Sequence, residues 1–74
     1  MIILHLPKTT TWKNLNHLRQ QNKTAIFEIT QNILESRRYS QFDIGKFGAV
    51  CNCQFWGSFD SEEEALQKIK NNNR

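Results

Sequence analysis

Phe47-Gly48-Ala49-Val50-Cys51-Asn52-Cys53-Gln54-Phe55-Trp56-Gly57-Ser58-Phe59-Asp60-Ser61-Glu62-Glu63-Glu64-Ala65 is the stretch that organises the rest of the chain. From Phe47 to Phe59 every second position is apolar or Gly, and the positions between (Gly48, Val50, Asn52, Gln54, Trp56, Ser58) are mostly polar or small. Alternation with a period of two is the side-chain spacing on one face of a β-strand. The run is either one long strand or a hairpin. An average strand is far shorter than thirteen residues, which favours a hairpin with a three-residue loop at Cys51-Asn52-Cys53; an odd loop keeps like parity on one face across the turn. Beyond it, Ser61 precedes Glu62-Glu63-Glu64, so the hydroxyl can cap a helix and Glu64 can close a capping box. Three carboxylates then meet the positive end of the helix dipole, with Lys68 and Lys70 near its negative end. The spacing predicts a C-terminal helix over 61–70, followed by a frayed polar tail over 71–74.

Towards the N terminus, Tyr39 to Ile44 reads as a strand and Gly45-Lys46 as a turn. Residues 24–37 fit two patterns: Ala25, Phe27 and Ile29 alternate like a strand, while Ala25, Ile26, Ile29 and Ile33 fall at helical spacing. A helical projection collects Glu28, Gln31, Asn32 and Glu35 opposite a wide apolar face, which favours a helix. The alternative is a hairpin turning at Gln31-Asn32, supported by the β-branched residues around it. Trp12, Leu15 and Leu18 predict a short amphipathic helix over about 12–21, capped by one of Thr9 to Thr11. Ile2 to Leu6 is a short apolar strand closed by Pro7. The expected fold is a single α+β domain over 1–74: an antiparallel sheet of three to four strands, with two or three helices packed on one face.

The chain has 74 residues, of which 38% are hydrophobic and 11% aromatic, enough for one packed core. A core of this size supplies about 3–5 kcal/mol of net stability. A large substrate cavity would consume it, so the expectation is a non-enzymatic protein without cofactor, metal or small-molecule substrate. The opening Met1 to Leu6 is too short for a signal peptide and no run reaches the length of a membrane span. A cytoplasmic protein with no membrane partner is expected. Cys51 and Cys53 are one residue apart, too tight for an unstrained disulfide. With His5 or His17 they make only a fragment of a zinc site, and no second pair stands at zinc spacing. Capping already accounts for the Glu62-Glu63-Glu64 run, and Gly45, Gly48 and Gly57 match no phosphate-loop spacing.

Charge points to a partner. Residues 1–38 carry six basic and two acidic side chains, a net of +4, whereas residues 39–74 carry four and five, a net of −1. Lys8, Lys13, Arg19, Lys23, Arg37 and Arg38, with Trp12 and Tyr39 near them, suggest a basic surface carrying aromatic rings, suited to DNA or RNA.

Arg38-Tyr39, then Gly45-Lys46-Phe47-Gly48-Ala49, then Trp56-Gly57-Ser58-Phe59-Asp60-Ser61-Glu62-Glu63-Glu64-Ala65 follow one another in an order that resembles the signatures of AP2-type DNA-binding domains and the related arm-type modules of phage integrases. The resemblance covers residues 37–70. It implies a three-stranded antiparallel sheet packed on one helix, which reads the DNA major groove through Arg37, Arg38, Lys46 and Trp56. The leading expectation is therefore a small nucleic-acid-binding or regulatory accessory protein using Arg37, Arg38, Lys46, Lys13, Arg19 and Lys23. The alternative is a protein-interaction module, an inhibitor or small subunit that docks through Trp56, Phe55 and Trp12 or through a sheet edge.

Overall fold

The computed structural model describes residues 2–72. The hairpin forms from Phe47–Cys51 (β3) and Gln54–Phe59 (β4). Its loop, however, is two residues, Asn52-Cys53, rather than three, with φ of 52° and 63°. Left-handed conformation at both loop positions gives the backbone twist that matches two right-twisted strands. The even loop reverses parity: Cys51 faces Gln54, Val50 faces Phe55 and Ala49 faces Trp56. A bulge opposite Phe47 and Gly48 then takes up Ser58, so that Phe59 again faces Phe47. The unbroken alternation in the sequence thus conceals two changes of face, and Phe55 and Trp56 end on opposite sides of the sheet.

Residues 24–37 are neither one helix nor a hairpin. Thr24–Glu28 is a strand (β2) and Gln31–Ser36 a 3-10 helix. β2 lies inside the sheet, and consecutive Ala25, Ile26 and Phe27 are all buried. A strand covered on both faces loses polar alternation, and such a run of apolar residues also satisfies helical spacing. The strand expected over Tyr39 to Ile44 is likewise replaced, by a 3-10 turn at Gln41–Asp43. Ser40 Oγ accepts from the Phe42 N–H at 3.3 Å and Asp43 Oδ2 accepts from the Ser40 N–H at 2.9 Å, a reciprocal cap that curls the chain.

The order of strands is β1-β2-β3-β4, where β1 is Ile3–His5. β1 runs parallel to β2, and the other neighbours are antiparallel. The sheet is therefore mixed rather than antiparallel, because the helix Trp12–Gln20 (α1) serves as the crossover that a parallel pair requires. Nor do the helices share one face. Leu15 of α1 packs with Phe27, Ile29, Ile33, Tyr39 and Val50 on one side. On the other, Ala65 and Ile69 of the C-terminal helix Glu62–Asn72 (α2) pack with Ile26, Ala49 and Cys51.

Ser61 Oγ accepts from the Glu64 N–H at 3.2 Å, as its position predicts. The Glu64 carboxylate reaches the Asp60 N–H at 3.1 Å instead of that of Ser61. α2 runs on through Asn71 and Asn72, where a frayed tail was expected; the remainder of that tail, Asn73 and Arg74, lies outside the described residues.

Tyr39 ties the α1 side together. Gly48 and Gly57 face each other across β3 and β4, and the tyrosine ring lies over this pair. A Cβ on Gly48 would stand 2.6 Å from Phe27 Cζ and 2.9 Å from Tyr39 Oη; one on Gly57 would stand 2.9 Å from Tyr39 Cε1. The Tyr39 hydroxyl donates to the Trp56 carbonyl at 3.0 Å, and its ring meets Phe27 edge-on at 5.9 Å. Burial pushes the phenol up to about 12; Arg38 pulls the other way and Asp43 adds to the rise.

Candidate nucleic-acid interface

α1 starts at Thr11, whose hydroxyl accepts from the Asn14 N–H at 3.4 Å. Trp12, Leu15 and Arg19 recur at a spacing that aligns them along one side of the helix. Leu15 is fully buried, and Trp12 and Arg19 are half-buried. The parity reversal in the hairpin sends Phe55 to the same side. The Trp12 and Phe55 rings lie 4.7 Å apart at an interplanar angle of 39°.

Two guanidinium groups converge on the Phe55 ring of this pair. The Arg19 group lies 5.7 Å from the Phe55 ring centroid and the Arg38 group 5.2 Å from it, both within cation–π range. Arg19 is oriented by Asn16, whose Oδ1 accepts from Nε at 3.3 Å and Nη2 at 2.9 Å. Arg38 arrives by a different route. Arg37 takes a left-handed conformation, φ 62°, at the end of the 3-10 helix, and the Arg38 N–H donates to Ser36 Oγ at 3.1 Å. This sharp reversal sends Tyr39 into the core and leaves Arg38 exposed beside β4.

Neither arginine pairs with a carboxylate among the described residues; the acids that do pair are Glu62, with His5, and Glu28, with Lys8 at 3.8 Å. The imbalance starts in the sequence, since residues 1–27 contain no Asp or Glu.

Arg19 and Arg38, expected to contact nucleic acid, and Trp12 and Phe55, expected to contact a protein partner, therefore form one patch. Lys13, Lys23 and Arg37 are exposed outside it. Lys46 is half-buried at the entry to β3, where its backbone N–H donates to Asp43 at 2.9 Å and its carbonyl accepts from Ile29 at 2.8 Å. Trp56 sits on the α2 side among Ala49 and its neighbours, and its indole N–H donates to Gln54 Oε1 at 3.3 Å. Asn16 escaped the sequence reading, although its place three residues before Arg19 on a helix is the spacing that such a brace needs.

Other sequence candidates are dispersed. Cys51 is buried on the α2 side and Cys53 is exposed at the hairpin tip, with its thiol 3.5 Å from Asn22 Oδ1. Among the described residues no three His, Cys, Asp or Glu side chains gather as metal ligands, and no helix is long and apolar enough to cross a membrane. No family model matches the chain, and neither does any curated protein or solved structure.

Proposed function

We propose that this protein is a small, non-enzymatic nucleic-acid-binding protein whose contact surface is the patch formed by Trp12, Phe55, Arg19 and Arg38. The observation that carries this reading is the convergence of two guanidinium groups, neither paired with a carboxylate among the described residues, on the Phe55 ring of one half-buried aromatic pair. Guanidinium groups suit phosphate through paired hydrogen bonds, and aromatic faces suit bases. With no carboxylate paired to either, both charges stay available to an anion. A reader that inserts its sheet into the major groove needs an open sheet face, and here helices cover both. The ligand is instead met at the flank of α1, at β4 and at the turn through Arg37-Arg38.

Affinity for labelled oligonucleotides as a function of salt tests the proposal. Binding should fall steeply as salt rises, and the double substitution Arg19→Ala/Arg38→Ala should make the log–log slope shallower by about 1.4 to 1.8, the value for two phosphates. No binding to any oligonucleotide at low salt would end it.

A second reading, a protein partner, rests on a different place. Phe42 is 81% exposed and Ile44 47% exposed on the loop before β3. A partner retained by wild type and lost on Phe42→Ser, with oligonucleotide binding unchanged, would favour it.

A further inference from the structure

The patch also selects among nucleic acids, and we infer that its ligand is a single strand, with an unpaired base stacked on Trp12 and the flanking phosphates held by Arg19 and Arg38. This inference rests on the nucleic-acid reading and deepens it. Bases inside a duplex cover one another's faces, so away from the duplex ends it is an unpaired base that can offer its face to an indole. The Trp12 and Phe55 rings, tilted by 39° and both half-buried, keep part of their aromatic surface at the protein boundary. The position of the cations agrees. In a helix that reads a duplex groove, cations project outward from the helix. Of the α1 side chains turned fully to solvent, Lys13, Asn14, His17 and Gln20, one is a lysine. Arg19 instead lies half-buried against the Phe55 ring, held there by Asn16, and the exposed Arg38 reaches over the same ring. A ligand must come down to the level of the rings to meet Arg19, as one flexible strand can. Two positive groups flanking a single aromatic site match a nucleotide with a phosphate on either side.

Fluorescence anisotropy on the full chain distinguishes the possibilities, with labelled oligothymidine, oligouridine and a blunt duplex of equal length as probes. One or both single strands should bind at least about tenfold more tightly than the duplex, the factor expected from one stacked base. Equal or tighter duplex binding overturns the single-strand inference and leaves the nucleic-acid reading standing. Absence of binding to all three overturns both.

Emission locates the base. The chain has two tryptophans, on opposite sides of the sheet. In Trp56→Phe, unlabelled single strand should quench Trp12. In Trp12→Phe, the emission of Trp56 should stay unchanged on addition of the same strand. Quenching of Trp56 instead of Trp12, or of neither when strand is bound, overturns the assignment. Circular dichroism confirms that each variant is folded. Arg38→Ala, at an exposed position, supplies a variant without core disturbance and should weaken single-strand binding severalfold; unchanged affinity counts against the site.

Discussion

The two helices that sandwich the sheet, α1 with nine residues and α2 with eleven, treat their charges in opposite ways. At the start of α2 three polar groups are matched: Glu62 meets His5, Glu64 takes the Asp60 N–H, and Ser61 caps the first turn. On the α1 side Arg19 and Arg38 are steered onto an aromatic ring and given no acid. Both helices bury apolar side chains that the fold needs. The difference lies in what they leave at the surface: charge that holds a helix end on one side, and charge without an acid partner on the other.

The largest effects should fall on the two cores alike. Phe27→Ala on the α1 side should cost about 3–5 kcal/mol and Ile69→Ala on the α2 side about 2–5 kcal/mol, each comparable with the whole stability of a domain this small. Urea unfolding should show one cooperative transition for wild type and little folded protein for either variant. Survival of a native α1 side in Ile69→Ala would show that the layers fold separately.

Next in size is Gly48→Ala, where the new methyl meets the Phe27 ring and the Tyr39 hydroxyl and overpacking should cost about 1–3 kcal/mol. The denaturation midpoint should drop while binding by the folded fraction persists. Smaller again is Ser61→Ala, which removes the α2 cap at about 1 kcal/mol; oligonucleotide affinity should not change. A loss of affinity there would erase the contrast between the two sides.

The last effect is confined to alkaline pH. Tyr39 is the chain's one tyrosine, so tyrosinate absorbance reports it alone, and the midpoint should lie near 12 in the folded protein instead of the ordinary 10.0. A phenol that holds its proton more tightly when folded adds stability that is complete below pH 10. That contribution is lost as pH rises from about 10 to about 12, because the unfolded chain releases the proton first. A midpoint near 10 with the protein still folded would mean that Tyr39 is not buried over the glycine pair.

Legibility followed the range of the interactions. The Ser61 cap, the start of α1 among the three threonines and the β3–β4 hairpin are set within a few residues, and all three stand in the structure. β2 was obscured because burial on both faces erased its alternation. The Tyr39 to Ile44 segment went astray because a Ser40–Asp43 cap outweighed its apolar residues, which leaves Phe42 exposed.

From local chemistry alone follow the class, α+β, the capped C-terminal helix, and a basic N-terminal half with aromatic residues in it. Which residues meet across the sheet was settled by tertiary structure. A loop of two residues rather than three sends Phe55 to Trp12 and Trp56 to the opposite side. The left-handed turn at Arg37 brings Arg38 to a ring seventeen residues further along the chain. Side-chain identity is carried by each residue separately, but the face on which it emerges depends on every loop and bulge before it. The aromatic and arginine patch exists only where those choices coincide.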